Sequence, residues 1–208
     1  MILPLLAVSI FGQGGKGQDE NVPTDTVPLT YGVVVDNSGT YRRILGRIID
    51  TVIAIADEHS ANDEAFLVTY VDVSKTAIRL EFTNEGQELR EAAEEMYIQG
   101  GRTAVLDALL FSAKYLVESG VAADGRRKAL LLISDGDDRE SSAKFEEVAD
   151  YLKKNNIRVF SIAIADGRVS DKLLTKIAKA TGGKVLLPNS PTTTKKAVAD
   201  IFADLRHN

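Results

Sequence analysis

From residue 29 to residue 205 the chain alternates between two spacings of apolar side chains. Residues 31–35 (Tyr-Gly-Val-Val-Val), 65–71, 128–134 (Lys-Ala-Leu-Leu-Leu-Ile-Ser) and 157–164 are short apolar runs, as expected of strands buried on both faces. Between them the period becomes helical. Ile44, Leu45, Ile48, Ile49, Val52, Ile53, Ile55 and Ala56 fill one half of a helical wheel that starts at Thr40, and Arg43, Gly46, Arg47, Asp50 and Asp57 fill the other. A second long helix is predicted over residues 103–118, with Asp107, Lys114 and Glu118 on one narrow polar stripe. Phe145, Val148, Ala149 and Leu152 mark a third, and Leu173, Leu174, Ile177 and Ala178 a fourth, which Ser170 can cap and Gly182-Gly183 stops. Residues 184–187 form a last short strand, and Ser190-Pro191 opens a final helix carrying Val198, Ile201, Phe202 and Leu205.

Residues 76–82 differ, because Ile78, Leu80 and Phe82 alternate with Arg79 and Glu81. That suits an edge strand with one wet face, and the short link at residues 72–75 makes it the antiparallel partner of the strand before it. Residues 84–96 form a short acidic helix. The whole predicts an α/β fold: a doubly wound, mostly parallel central sheet with one antiparallel edge strand, right-handed crossovers and helices on both faces. There is no internal repeat.

The ends read differently. Residues 1–12 hold an apolar run, Met1 to Phe11, too short to span a bilayer and similar to the apolar region of a secretory signal, although the usual positive residues before it are missing. Residues 13–28 have linker composition, and their glycines lack the strand-to-helix context and the Lys-Ser/Thr ending of a phosphate loop. The expected organisation is thus a signal-like segment (1–12), a linker (13–28), one domain (29–205) and a tail (206–208). That places the chain in the periplasm or outside the cell, with no transmembrane span in the mature protein.

Composition narrows the chemistry. A formal charge of −5 argues against a nucleic-acid partner. The absence of cysteine excludes thiolate and iron–sulfur chemistry, and two histidines, His59 and His207, are too few for a histidine-rich metal site. His59 and His207 read as solvated residues.

In sheets of this kind ligands sit beyond the carboxyl ends of the strands. The first strand ends in Asp36-Asn37-Ser38-Gly39-Thr40, and the strand at 128–134 runs into Asp135-Gly136-Asp137-Asp138. Thr103 follows Gly100-Gly101-Arg102 at the start of the second long helix. These segments offer carboxylates and hydroxyls, hard oxygens that favour Mg²⁺, Mn²⁺ or Ca²⁺ over zinc or copper. Taken singly, Ser38, Thr40 and Thr103 could be helix caps and Asp135-Gly136 an ordinary turn; together, in this order, they suggest a cation site.

The arrangement resembles the von Willebrand factor type A domain with its metal-ion-dependent adhesion site, of bacterial secreted type. The family pattern is Asp-x-Ser-x-Ser after the first strand, a Thr before a helix, and an Asp in a Ser/Thr-Asp-Gly turn. Here Asp36-Asn37-Ser38-Gly39-Thr40, Gly100-Gly101-Arg102-Thr103-Ala104 and Ser134-Asp135-Gly136 match, with Thr40 in place of the last Ser. The turn at residues 180–184 (Ala-Thr-Gly-Gly-Lys) matches as well. The resemblance implies that Ser38, Thr40 and Thr103 supply hydroxyl oxygens, that Asp36 and Asp135 hold the ion largely through waters, and that an open position accepts a carboxylate from a partner protein. Asn37, Arg102, Asp137 and Asp138 would then stand at the rim. Asp107 and Arg102 also read as plain surface residues.

Two other readings compete with this one. The Asp36-x-Ser38-x-Thr40 order also resembles haloacid-dehalogenase-type phosphatases, but Ser38 cannot act as the second, general-acid carboxylate of that family. A type A domain kept for structure alone, without metal, is the other. A Ser-His-Asp hydrolase lacks both a placed histidine and a Gly-x-Ser-x-Gly turn. The chain is therefore expected to bind rather than to catalyse.

Overall fold

The computed structural model describes residues 27–120 and 125–207. The signal-like segment and nearly all of the linker lie outside the described residues. The order is β1 (Leu29–Asp36), α1 (Leu45–Asp57), β2 (Glu64–Tyr70), β3 (Ala77–Thr83), α2 (Gly86–Glu94), α3 (Val105–Ser119), β4 (Arg127–Ser134), α4 (Phe145–Lys154), β5 (Ile157–Ala163), α5 (Asp171–Thr181), β6 (Val185–Leu186) and α6 (Pro191–His207). The six strands form one sheet in the order β3-β2-β1-β4-β5-β6, parallel except for β3. This is the predicted doubly wound architecture with one antiparallel edge.

Burial on both faces explains the unbroken apolar runs. Tyr31, Val33 and Val35 of β1 pack with α1, α2 and α6, whereas Val34 packs with α3, α4 and α5 on the other side. The chain leaves β1 toward β2 on one side and returns to β4 on the other. The loops after β1 and β4 therefore meet at the carboxyl edge, where the strand order reverses.

Three local expectations are corrected. The helix does not start at Thr40: a 3-10 turn, Gly39–Tyr41, intervenes and α1 begins at Leu45. The alternation of β3 is broken by two register shifts against β2, so Leu80 packs with α1 and α2 while Ile78 and Phe82 pack on the α3 face. Such bulges twist an edge strand away from foreign pairing. The side chain of Ser170 makes no cap bond to α5, whose far end closes on Gly182 in the left-handed region.

His59 is not simply solvated. Its Nδ1 lies 2.8 Å from the Tyr31 hydroxyl and the two rings pack at a tilt, because a tyrosine on a buried strand needs a partner for its oxygen. Nearby, Asp63 is fully buried at the amino edge of the sheet, where it joins β1 to α6. It accepts from the Leu29 amide at 2.9 Å and the Ser60 amide at 3.0 Å, and pairs with Arg206 at 2.7 Å. Arg206 thus lies within α6 rather than in a tail.

Candidate metal centre

Asp36 ends β1 and is 1% exposed, because Asp36 stands in register with Tyr70 at the end of β2. Its Oδ1 accepts from the Ser38 amide at 2.9 Å, and its Oδ2 lies 3.4 Å from the Tyr70 hydroxyl. That hydroxyl also reaches Ser134 Oγ at 3.2 Å, which accepts from the Gly136 amide at 3.0 Å. Ser38 Oγ and Thr40 Oγ1 are 2.9 Å apart. Asp135 Oδ1 accepts from the Asp137 amide at 3.0 Å, and the nearby Thr40 hydroxyl favours its charged form. Asp36, Ser38, Thr40 and Asp135 therefore form one connected group. Thr103 joins it indirectly: its hydroxyl donates to the Asp137 carbonyl, which leaves the oxygen lone pairs free to accept.

None of the three hydroxyls is spent on a cap. Ser38 stands at the cap position of the 3-10 turn without a side-chain cap bond, α1 is entered from Ile44, and α3 from Ala104. The first turn of α3 is capped from a distant loop instead. The Val105 amide donates to Asp138 Oδ1 at 3.0 Å, and the Leu106 amide to Ser141 Oγ at 3.0 Å. In return Asp107 accepts from the Ser142 and Ala143 amides at 2.9 and 2.7 Å, and Thr103 O accepts from the Arg139 and Glu140 amides. Asp107 is thus a tether rather than a solvated residue, and Asp138 a cap contributed across the fold rather than a rim group. Ser141, Tyr70 and Ser134 belong to the site's support and were not singled out as such. A tyrosine ending an apolar strand is the one signal that could have found Tyr70.

The other rim candidates separate. Arg102 is exposed and pairs with Glu140 at 3.3 Å; Asp137 is half-buried and pairs with Arg139. Asn37 is buried, its backbone oxygen accepting from the Gln99 and Gly100 amides.

Burial pushes the Asp36 carboxyl up to about 7, opposed by the bonds from Ser38 and helped by the Asp135 charge. Asp135 is raised too, chiefly by burial. Among the described residues no Lys, Arg or His forms an ion pair with Asp36. A buried carboxylate without a countercharge is costly, and a hard cation among hydroxyls would relieve it. The donor set therefore fits Mg²⁺, Mn²⁺ or Ca²⁺. Among the described residues no three His, Cys, Asp or Glu side chains gather as an ion cage, so hydroxyls and water would complete any coordination here.

The raised Asp36 carboxyl sets a pH dependence for the chelated protein. The folded state keeps this proton up to about 7 whereas the unfolded chain releases it near the ordinary aspartate value of 3.8. Over that window the folded state binds more protons, so stability falls as pH rises. Urea midpoints in EDTA are expected to drop between pH 5 and pH 8, and Asp36→Asn to remove that part of the slope. An unchanged slope in the variant contradicts the assignment.

Gly136 sets the aim of Asp135. Its φ is +80°, and a Cβ there would sit 2.0 Å from Ser170 O, whose residue donates its amide to Asp135 O at 2.7 Å. Gly136→Ala should cost at least about 1–2 kcal/mol through the left-handed backbone alone, measured by urea denaturation.

A sequence model of the von Willebrand factor type A domain matches residues 32–200. A search of curated proteins by sequence finds no match. Among solved structures, an aerotolerance-related membrane protein of Bacteroides fragilis, crystallised with multiple mutations to serines, superposes with a TM-score of 0.70 at 17% identity, covering 85% of this chain and 99% of that one. The conserved hypothetical protein BatB of Bacteroides thetaiotaomicron gives 0.69 at 17% identity over the same shares. A von Willebrand factor type A structure from Catenulispora acidiphila gives 0.72 at 18% identity, covering 86% of this chain and 43% of that one. At these identities the superpositions speak for the fold, and the sequence match over most of the described residues speaks for the family: the chain belongs to the von Willebrand factor type A domain family, whose members are in general protein-interaction modules.

Proposed function

We propose that the domain is a divalent-cation-dependent protein-binding module with a metal-ion-dependent adhesion site. Asp36, Ser38, Thr40, Thr103 and Asp135 would hold Mg²⁺, or Mn²⁺ or Ca²⁺ in its place. The bound cation would supply a Lewis-acidic position open to a carboxylate of a partner protein. The observation that carries this reading is the buried Asp36 carboxylate, which has no cationic partner among the described residues and stands beside hydroxyls that cap no helix. Asp36 fixes the loop through the Ser38 amide, and Asp135 fixes its own turn through the Asp137 amide. The residues bind and orient, and no turnover is part of the proposal.

The reading is tested by melting the protein in EDTA and in millimolar Mg²⁺, Mn²⁺ or Ca²⁺. A rise with at least one ion supports it, and no shift with any of them overturns it. Export belongs to the same proposal: residues 1–12 act as a secretory signal and 13–28 as a linker to a domain beginning near Leu29, so that the domain works in the periplasm or outside the cell. Among the described residues no helix is long and apolar enough to cross a membrane. An exported chain lacking its first dozen residues is the expected product of fractionation, and a full-length cytosolic chain contradicts it.

A further inference from the structure

Beside the candidate centre lies a cavity of about 250 Å³, lined by Asn37, Thr69, Ile78, Arg79, Met96 and Tyr97, together with Ala92 and Glu95. Asn37 follows Asp36 directly, and its backbone oxygen holds the amides of Gln99 and Gly100, so this loop is a wall shared with the segment leading to Thr103. Asn37 is 3% exposed, and its side-chain amide, which makes no hydrogen bond to the described residues, is open to solvent through the cavity. Its NH₂ is therefore free to donate to a polar guest in the cavity.

Arg79 supplies the complementary charge. Its Nε donates to Thr69 Oγ1 at 2.7 Å, and the guanidinium carbon lies 5.4 Å from the centre of the Tyr97 ring. Among the described residues its terminal nitrogens have no other partner, and Glu95 forms no ion pair with it. Tyr97 is more than half exposed, an aromatic side chain at the mouth of a polar hole. A guanidinium with free terminal N–H groups beside an amide NH₂ is a receptor for a planar carboxylate. Ile78 and Met96 offer apolar wall to the methylenes that carry it.

We propose that this cavity is a second carboxylate subsite, so that the partner presents two acidic side chains, one toward the cation and one to Arg79 and Asn37. This deepens the adhesion reading and rests on it for the first carboxylate only. Two weak contacts on one segment raise affinity through effective concentration, provided the spacing lets both engage.

The test uses ¹⁵N-labelled protein and synthetic peptides, Ac-Glu-NH₂ and Ac-Glu-(Gly)-Glu-NH₂ with one, two or three glycines, with the Gln versions as controls. In EDTA the acidic peptides are expected to move the Asn37 side-chain amide and the Tyr97 backbone signal, and the Gln peptides to leave them. In Mg²⁺ at least one two-Glu peptide is expected to bind about tenfold tighter than Ac-Glu-NH₂. Arg79→Gln, at an exposed position, should remove both effects without lowering the melting temperature. If acidic peptides leave Asn37 unmoved, if Gln peptides move it equally, if Mg²⁺ moves the Ser38, Thr40 and Thr103 amides yet no two-Glu peptide gains affinity over Ac-Glu-NH₂, or if Arg79→Gln changes nothing, the subsite is overturned. If Asn37 responds in EDTA while Mg²⁺ leaves the Ser38, Thr40 and Thr103 amides unmoved, the cation reading fails instead.

Discussion

Mg²⁺ is expected to raise the melting temperature of the native protein, and Asp36→Ala to abolish that rise. Ligand present at a hundredfold excess over its dissociation constant stabilises by about 2.7 kcal/mol. In a domain of this size that is a rise of roughly 5–10 °C. Removing Asp36 takes away the most buried carboxylate of the centre and the acceptor that holds the Ser38 amide at 2.9 Å. The sign in EDTA should be the opposite of a normal core mutation. Above pH 7 the native protein carries a buried, uncompensated charge that alanine does not, so the chelated variant should melt no lower than the native protein, apart from about 1 kcal/mol for the lost hydrogen bond. Thr103→Val makes a milder companion, since it keeps the volume and removes one oxygen. It should weaken the ion response while leaving the melting temperature in EDTA within a few degrees. A variant Asp36→Ala that still responds to Mg²⁺ as the native protein does would place the ion elsewhere.

Asp63→Ala should cause the largest loss of stability, about 3–5 kcal/mol, because it leaves the Arg206 guanidinium uncompensated in a site only 13% exposed. It also orphans the Leu29 and Ser60 amides that Asp63 accepts at 2.9 and 3.0 Å. The paired change Asp63→Asn with Arg206→Gln should cost less than the two single changes summed, since neither then leaves a charge alone. Urea denaturation measures both, and additivity in that cycle would count against the ion pair as the source of the effect. The centre lies at the opposite end of the sheet, so the ion response of refolded Asp63→Ala should be unchanged.

The fold was legible because the two spacings of apolar residues are separated cleanly along the chain. Where Ala65 to Val71 is unbroken and Phe145, Val148, Ala149 and Leu152 are spaced by helical turns, period and length decide between strand and helix. The carboxylates and hydroxyls of the centre were legible for a related reason. Strand ends are easy to place, and a crossover sheet brings the ends of β1 and β4 together. What stayed hidden depends on contacts between segments far apart in the chain. A helical wheel assigns Asp107 to a polar stripe but carries no information about a loop 35 residues downstream that needs acceptors for its amides. The same holds for Asp138, for Ser141 and for the burial of Asn37. β3 was misread in detail because a bulge inserts a residue without leaving a mark in the alternation of Ile78, Leu80 and Phe82.

The position of β1 has a mechanical consequence. The chain enters this strand at Leu29, at the pole opposite the centre, and Asp36 ends it. Tension between the segment before Leu29 and a partner held at the centre would run lengthwise along β1. That strand is flanked by parallel ladders of seven residue pairs on each side, to β2 and to β4. A lengthwise pull loads all of those hydrogen bonds in shear at once, whereas a pull across the sheet would peel them apart one by one. The domain is thus braced most strongly along the axis from Leu29 to Asp36, the direction in which the proposed contact would be strained.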